Sequence, residues 1–517
     1  MRIISRPGDL PPSGDVLIFG AGEGGRIVWE ALSRNPAVRV LGFIDNQKTG
    51  SMLGLPVHRP ADILPPAPGV AVVIASMFAR EIAVQLRALG VEEPWSAALF
   101  LINHMQKRQM RLDRISWAAL LLEGLATLVL PLMALAARFR AKTVDVGIGP
   151  ECLINNRYHK KALEQAGFTA ETFVNGLTHV TREFDHIFMG NRHSPLHLLT
   201  QLRIFWLACS RYRILYIYFT GCPFNPSFWL WRLEPLLFQL SGTRVVVMPY
   251  GQDVQDFTRC ANLPFKHATT VDYPYQNRRR AWVKGRIDLW TRYADHVISG
   301  CDWVDYMHHW DTLLPGHFVV DMAEVRERAG APAQAGAAPD EPADRPFRIV
   351  HTPNHRTIKG TRHLLAAVEL LRAEGHAIEL TVVEGASNRA VLEQMAGADL
   401  IVDQLVIGWY AMVAIEAMTL GKPVVCFIRQ DLRELYEAAG VIERGELPLV
   451  HATPETLADT LRSLIQDRHG LRRAAELGPR FVRRHHSTER LAEVFGTINR
   501  RMGIGGAAGQ ATPRSSR

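Results

Sequence analysis

The sequence predicts an α/β fold with parallel sheets in three successive units. Three observations support this prediction. Short apolar strands alternate with amphipathic segments of helix length, a glycine-rich turn follows the first long strand, and an Ala-, Pro- and Gly-rich stretch at 329–345 divides the C-terminal part of the chain. Strands that alternate with helices form parallel sheets, whose ligands bind at the carboxyl ends of the strands.

Composition narrows the class of protein. With 517 residues, 47% of them hydrophobic and 21% charged, the chain is an ordinary folded protein with room for about three domains. Its net charge of +8 favours an acidic partner. We expect anionic lipid headgroups or a phosphorylated substrate rather than nucleic acid, because the sequence shows no aromatic–basic stacking motif or zinc-finger spacing. The six cysteines form no C-x-x-C pair, which favours a reducing compartment.

Residues 1–106 carry the pattern of a Rossmann-like unit. An apolar strand runs into Gly20, Gly22 and Gly25, spaced as G-x-G-x-x-G, and Asp45 follows the next strand about 20 residues later. In such units the glycines approach the phosphates of a dinucleotide and the acid binds a ribose hydroxyl. These four are therefore the candidate cofactor-binding residues, for a nucleotide or NAD(P). A structural role, a ligand-sensing role and a redox role all stay open.

Two further signatures in this unit are Gly42-Phe43-Ile44-Asp45 and the turn Gly54-Leu55-Pro56-Val57. On these residues the segment resembles the small N-terminal Rossmann-like domains of polysaccharide-biosynthesis proteins, among them nucleotide-sugar epimerases and sugar acyltransferases. The resemblance implies a domain that often lacks chemistry of its own.

Residues 107–142 form an apolar connector. The stretch from Ser116 to Phe139 is long enough to cross a bilayer, but Glu123 and Pro131 interrupt its apolar character. A monotopic or re-entrant membrane helix, a helix buried between domains and a true membrane span are the three alternatives. We expect the first, because a span would place the flanking nucleotide folds on opposite sides of the membrane.

The segment 143–328 is predicted to form the next α/β half. Its first strand leads into a loop that contains Gly149, and a later strand, 244–249, leads into a turn that contains Asp253. A carboxylate at the end of a strand can act as a general base or bind an acceptor. It can equally cap a turn, and both roles of Asp253 stay open.

Residues 346–502 are predicted to form the last half, before a disordered tail at 503–517. The strand at 348–350 opens into a polar loop with His355, Arg356 and Lys359, and the two cations suit a diphosphate. Later, the series Gly408-Trp409-Tyr410 precedes a helix that carries Glu416. The turn at Gly408 can present backbone N–H groups to the same anion.

On these motifs, together with Gly421-Lys422-Pro423, residues 143–500 resemble the GT-B glycosyltransferases of the large family-4 group. The resemblance implies two facing Rossmann-like domains, preceded here by the separate N-terminal one. It implies that Arg356 and Lys359 act on the donor diphosphate, that Glu416 holds the ribose, and that the Gly149 loop and His355 border the phosphate. The family has a further Glu at the position of Gly408, and its absence leaves the donor-sugar contact open.

The implied activity is transfer of a sugar from a nucleotide-diphosphate sugar to a glycan or lipid-linked acceptor in bacterial surface polysaccharide synthesis, with retention of configuration. Arg356, Lys359 and Asp253 are the candidate catalytic residues; Gly149, His355, Gly408, Trp409, Tyr410 and Glu416 are the candidate donor-binding residues. The resemblance implies no metal and no further cofactor. It also places the protein in the cytoplasm, at the inner face of the membrane.

Two alternatives remain. The N-terminal fold could run an NAD(P)-dependent modification of a nucleotide sugar, although no catalytic dyad accompanies it. The chain could also be an inactive glycosyltransferase that serves as a scaffold in a polysaccharide assembly complex, as the missing Glu at Gly408 would allow.

Overall fold

The computed structural model describes residues 2–4, 6–46, 48–76, 79–98, 100–101, 117–176, 183–189, 197–273, 280–331, 345–384 and 386–505. The chain divides into two compact units, Met1–Trp117 and Ala118–Arg517. Most of the predicted linker 329–345 and most of the predicted tail 503–517 lie outside the described residues.

The first unit is built on a seven-stranded sheet in the order β1-β7-β6-β2-β3-β5-β4. All its pairings are parallel except that of β4 with β5. Strand β2 is apolar throughout its second half because both of its faces are covered: Val16 and Ile18 pack into one core, Leu17 and Phe19 into another. The elements are β1 Arg2–Ile3, β2 Gly14–Phe19, α1 Glu23–Leu32, β3 Val38–Ile44, β4 Gly50–Met52, β5 Leu55–His58, α2 Pro60–Ile63, β6 Ala71–Ile74, α3 Ala79–Ala88 and β7 Trp95–Ser96.

The second unit begins with the apolar connector, which forms helix α4, Trp117–Arg138. It has the length and composition of a membrane span, with 22 residues and a mean hydropathy of 2.1. One face, however, packs into the core of the following half through Ala126, Leu130 and Ala134. Helix α4 is therefore packed on one side, and its relation to a membrane stays a prediction.

The half that follows α4 has a seven-stranded parallel sheet in the order β10-β9-β8-β11-β12-β13-β14. Its central strand β11 is buried along nearly its whole length, as expected for a strand covered on both faces. The elements are β8 Val144–Ile148, α5 Asn155–Gln165, β9 Ala170–Val174, β10 His186–Ile187, α6 His197–Arg211, β11 Tyr212–Tyr218, α7 Glu234–Ser241, β12 Arg244–Met248, α8 Leu263–Asp272, α9 Arg280–Tyr293, β13 His296–Gly300, β14 Thr312–Leu314 and α10 Met322–Arg328.

The last half has a five-stranded parallel sheet in the order β16-β15-β17-β18-β19. The two parallel-sheet halves predicted from the alternation of strands and helices are thus confirmed by the strand pairings. The elements are β15 Phe347–His351, α11 Arg356–Lys359, α12 Thr361–Ala373, β16 Ile378–Val382, α13 Asn388–Ala396, β17 Leu400–Val402, α14 Met412–Thr419, β18 Val424–Cys426, α15 Gln430–Ala438, β19 Val450–His451, α16 Leu457–Gln466, α17 Arg468–His485 and α18 Thr488–Arg501.

The chain then returns to the preceding half. Helix α17 packs on α14, and α18 packs on α5 across the second unit. A bridge between Val320 and Ser487 marks the crossing, and the Tyr216 hydroxyl donates to Asn499 Oδ1 over 2.9 Å. Helix α18, which follows the last half in the chain, therefore packs on the preceding half and connects the two. We call the half 143–328 the acceptor half and the half 346–502 the donor half, after the roles that the family resemblance implies for them.

Candidate functional site

The carboxyl ends of β15 and β17 bring Lys359 and Asp403 together. Lys359 ends the short helix α11, Asp403 directly follows β17, and Lys359 Nζ lies 2.7 Å from Asp403 Oδ1. Both side chains are buried. A buried cation needs a compensating partner, and Asp403 supplies it.

His351 holds the two strand ends in place beside this pair. Its Nδ1 contacts the Val402 carbonyl at 2.8 Å and its Nε2 contacts Thr361 Oγ1 at 2.9 Å. Burial lowers the pKa of His351 to about 4, so the ring is neutral near neutral pH. The hydrogen bonds of His351 therefore position the loop that follows β15.

Arg356, the other predicted cation, pairs with Glu384. Its Nε donates to Glu384 Oε1 over 2.9 Å and its Nη2 to Oε2 over 2.5 Å. The two side chains are 37% and 39% exposed, and exposed ion pairs of this kind contribute little net free energy. Little net free energy would therefore be lost if Arg356 exchanged Glu384 for another anion.

The first turn of α11 is occupied by residues from the acceptor half. The Ile358 N–H donates to Asp272 Oδ2 over 2.9 Å, and the ring of Tyr273 packs on His355, with centroids 4.3 Å apart. The Tyr273 hydroxyl also contacts His355 Nε2. In the predicted diphosphate loop, the Ile358 N–H and the His355 ring therefore already have partners, the carboxylate of Asp272 and the ring of Tyr273.

Gly408 lies at the turn where the family has its further Glu. Its φ of +96° falls in the left-handed region, and a Cβ built on it would lie 2.6 Å from both Cγ and Cδ of Arg429. Arg429 in turn binds Asp305 of the acceptor half, Nη1 to Oδ2 at 2.6 Å. Arg429 thus fills the space into which a side chain at residue 408 would project.

The side chains of Trp409 and Tyr410 point into the protein. Trp409 Nε1 donates to the Pro315 carbonyl over 2.8 Å, and the Tyr410 hydroxyl contacts His486 Nε2 at 2.8 Å. Both rings are almost fully buried. Any contact of these two residues with a donor would therefore come from the backbone of the turn.

Glu416 lies on α14, and Asn388 at the start of α13 donates to its Oε1 over 2.9 Å. Burial raises the pKa of Glu416 to about 7, against the opposing effects of Asn388 and the charge of Arg328. Burial also raises the pKa of Tyr158 on α5, with added contributions from Glu324 and Glu416 among the nearby charges. Glu416 therefore lies close to the place where the donor half meets the acceptor half.

Two predicted residues of the acceptor half have structural partners. Gly149 lies against Phe173, whose carbonyl oxygen would be 2.1 Å from an added Cβ. Asp253 is fully buried and accepts hydrogen bonds from the N–H groups of Phe219, Tyr250 and Gly251 at 2.9–3.0 Å. Burial raises the pKa of Asp253 to about 7. These contacts support the turn-capping role of Asp253; the general-base role and the donor role of Gly149 stay predictions.

In the first unit, the predicted ribose-binding residue Asp45 forms a hydrogen bond with the glycine-rich loop that follows β2. Asp45 Oδ2 accepts from the Ala21 N–H over 2.8 Å, and Lys48 Nζ donates to the Ala21 carbonyl over 2.8 Å. A Cβ on Gly25 would lie 2.0 Å from the Gly20 carbonyl oxygen, so packing alone requires a glycine there. Nucleotide binding by Gly20, Gly22, Gly25 and Asp45 stays a prediction.

The sequence motifs did not point to the residues that pair with the predicted ones. Asp403 had a usable signal, since it directly follows an apolar strand of a parallel sheet. Glu384 had a similar signal, since it follows β16 of the same sheet, whereas the rest reach the site through tertiary contacts from separate elements. They are Asp272, Tyr273, Asp305, Asn388 and Arg429.

No protein-family model and no curated protein sequence matches the chain. Solved structures do align with it. Sucrose-phosphate synthase from Thermosynechococcus elongatus is 14% identical, with a TM-score of 0.46, over 70% of this chain and 99% of that one. Anabaena Alr3699/HepE in complex with UDP-glucose is 13% identical, with a TM-score of 0.38, over 68% and 98%.

WaaG, a glycosyltransferase involved in lipopolysaccharide biosynthesis, is 14% identical, with a TM-score of 0.38, over 69% of this chain and 99% of that one. All three TM-scores are below 0.5 and all identities are below 25%. The function therefore has to be argued from the residues of the site.

Proposed function

We propose that the chain is a glycosyltransferase that binds a nucleotide-diphosphate sugar in the cleft of its second unit and transfers the sugar to a glycan or lipid-linked acceptor. One observation carries this proposal. The short helix after β15 carries a half-exposed cation, Arg356, and a buried cation, Lys359, which pairs with Asp403 at the end of β17. The charge of Asp403 also acts on the buried Glu416 of α14. Ligands of open α/β sheets bind at the carboxyl ends of the strands.

Arg356, Lys359 and Glu416 each suit one part of the donor. Arg356 and Lys359 would stabilise the negative charge that develops on the departing diphosphate, and Glu416 would accept hydrogen bonds from the ribose hydroxyls. In the reaction, the bond between the anomeric carbon and the diphosphate oxygen breaks, and the diphosphate leaves with the electron pair. An acceptor hydroxyl oxygen bonds to the anomeric carbon and gives up its proton.

The finer parts of the proposal rest on the family resemblance. These are retention of configuration, a role in bacterial surface polysaccharide synthesis, no requirement for a metal or cofactor, and action in the cytoplasm at the inner face of the membrane. Residue 408 is a glycine and so offers no carboxylate to the donor sugar, and Arg429 fills the space into which a side chain there would project. The anomeric configuration of the product therefore has to be measured by NMR spectroscopy.

The test is release of nucleoside diphosphate from a panel of UDP-, GDP- and ADP-sugars, with and without a membrane extract as the source of acceptor. Wild type is compared with Glu416→Ala and Arg356→Ala, and with Arg348→Ala as a matched control. Arg348 also forms an ion pair, with Glu379, on the same sheet. We expect one donor to be consumed by wild type and the control, with losses of about tenfold or more in the other two.

A second candidate, an inactive scaffold that keeps a nucleotide site, is favoured by the internal partners of the site. Lys359 pairs with Asp403, Arg356 with Glu384, and Asp272 closes the first turn of α11. Release of no nucleoside diphosphate from any donor, combined with tight binding of a nucleotide, would favour this candidate over catalysis.

A further inference from the structure

The outer face of α4 exposes a row of large apolar side chains. Apart from Val129, which directly follows Leu128, they succeed one another at steps of three or four residues, so they lie on one face of the helix. Leu128, near the middle, is 70% exposed. The exposed members are Trp117, Leu121, Leu125, Leu128, Val129, Leu132, Leu135 and, just past the helix, Phe139.

The opposite face fixes the orientation of the helix. Glu123 accepts from the N–H groups of Phe228 and Trp229, with Oε1 2.9 Å from the Phe228 nitrogen. Trp229 Nε1 donates to Thr127 Oγ1 over 3.0 Å. Together with the buried alanines and Leu130, these contacts hold α4 on the acceptor half. The exposed apolar stripe lies on the opposite face of the helix.

Two helices, α4 and α7, form the surface around these side chains, and neither of them exposes an acidic side chain. Glu123 is the only acidic residue of α4 and Glu234 the only one of α7, and both are buried. Glu234 accepts from the N–H groups of Cys222 and Phe224, close to the segment that Glu123 holds. Both carboxylates of these helices are thus used to fasten one loop.

The apolar surface continues beyond α4 and ends in cations. Phe228, Leu236 and Leu240 are partly or largely exposed, and Arg138 at the end of α4 donates to the Leu240 carbonyl over 3.4 Å. Three exposed arginines border this surface. They are Arg138, Arg140, which lies over the Trp206 ring, and Arg232, which lies over the Trp231 ring.

We propose that this surface docks on an anionic lipid bilayer, with α4 lying in the plane of the membrane. The exposed apolar stripe enters the boundary between headgroups and acyl chains, and Arg138, Arg140 and Arg232 contact lipid phosphates. The two helices of this apolar face expose no acidic side chain, and arginines border the face. Its apolar centre suits the acyl chains of a membrane, and its basic border suits anionic headgroups. A second copy on the same face would bring two basic borders together, which opposes dimerisation.

The test is sedimentation of the full chain with vesicles, which needs no donor and is independent of glycosyl transfer. Vesicles of phosphatidylcholine are compared with vesicles that also contain phosphatidylglycerol. We expect binding to the anionic vesicles and weaker binding to the neutral ones. The double variant Leu125→Glu/Leu132→Glu should bind the anionic vesicles at least about tenfold more weakly, because charged side chains on the inserted face oppose insertion.

A matched control is Leu365→Glu/Leu370→Glu, which changes two exposed leucines on α12 and should bind as wild type does. The variant Arg138→Gln/Arg140→Gln should lose the preference for anionic vesicles. Unchanged melting temperatures would show that the variants fold. Equal binding of wild type and Leu125→Glu/Leu132→Glu would overturn the proposal. So would a wild-type dimer that binds no vesicles and becomes monomeric in that variant.

Discussion

Arg429 lies against Gly408 and, from that position, binds Asp305 across the cleft between the donor half and the acceptor half. Two features require a glycine at residue 408: its φ of +96°, which lies in the left-handed region, and the nearby Arg429 side chain, which leaves no room for a Cβ. The turn at residue 408 is thus a junction between the halves. Asn262 of the acceptor half strengthens it by donating to the carbonyls of Val406 and Ile407 over 2.7 and 2.9 Å.

We expect Gly408→Ala to lower the free energy of unfolding by about 2–4 kcal/mol, from left-handed strain and overlap with Arg429. Gly375→Ala is the matched control, because Gly375 has a φ of +94° and open space around its Cβ position. The control should cost about 1–2 kcal/mol. Urea denaturation measures both. Equal losses in the two variants would show that the contact with Arg429 does not constrain residue 408.

Variants of the Lys359–Asp403 pair distinguish a structural role of Lys359 from a role in binding nucleotide. Lys359→Met should cost about 3–5 kcal/mol of unfolding free energy, because it leaves Asp403 buried without its cation. Adding Asp403→Asn should recover much of that loss. Both variants should lose affinity for nucleoside diphosphate, since neither has the cation. A stable double variant that binds nucleotide as wild type does would restrict Lys359 to a structural role.

Asp272 competes with a bound diphosphate for the first turn of α11 in our account. We therefore expect Asp272→Ala to raise the affinity for nucleoside diphosphate by about tenfold, measured by calorimetry, through removal of a nearby negative charge. Asp321→Ala is the control, because Asp321 caps α10 in the same way through the N–H groups of Ala323 and Glu324. Weaker binding in Asp272→Ala would mean that Asp272 supports the site instead of closing it.

The raised pKa of Glu416 predicts a pH-dependent difference in stability. In the folded chain the pKa is about 7, above the ordinary value of 4.5, so the folded state binds the proton more tightly than the unfolded state. Glu416 should therefore cost stability as the pH rises from about 4.5 towards 7, by about 3 kcal/mol at most. Glu416→Gln removes this cost.

The measurement is the melting temperature of Glu416→Gln relative to wild type at pH 5 and pH 8. We expect the variant to gain on wild type at pH 8 and to show little difference at pH 5. The comparison isolates Glu416 from the other buried acids, Glu234, Asp253 and Asp302, whose pKa values burial also raises. An equal difference at both pH values would contradict the raised pKa.

The sequence was informative where local pattern determines structure. The apolar strands before Gly20 and Lys359 and the helix that carries Glu416 are local features, and the structure has them where the pattern places them. The orientation of α4 was open because apolar length alone does not distinguish a span from a packed helix. The hydrogen bonds of Glu123 with Phe228 and Trp229 show which face of α4 is packed, and the relation of the helix to a membrane stays a prediction.

The site was less predictable because its partners come from distant parts of the chain. Asp272 lies 86 residues from Ile358, and Asp305 lies 124 residues from Arg429. Trp409 and Tyr410 resembled donor-binding residues because the motif fixes the path of the backbone. The direction of their side chains depends on Pro315 and His486, which no motif joins to them.

The most direct test of the proposed function is a thermal-shift panel of UDP, GDP, ADP, CMP and NAD(P) on wild type, Arg356→Ala and Arg348→Ala. Arg356 is half-exposed, so its loss should change binding without unfolding the chain. We predict that one nucleoside diphosphate raises the melting temperature of wild type and Arg348→Ala but not of Arg356→Ala. Stabilisation by NAD(P) alone, or an equal shift in all three proteins, would contradict a donor site in the cleft.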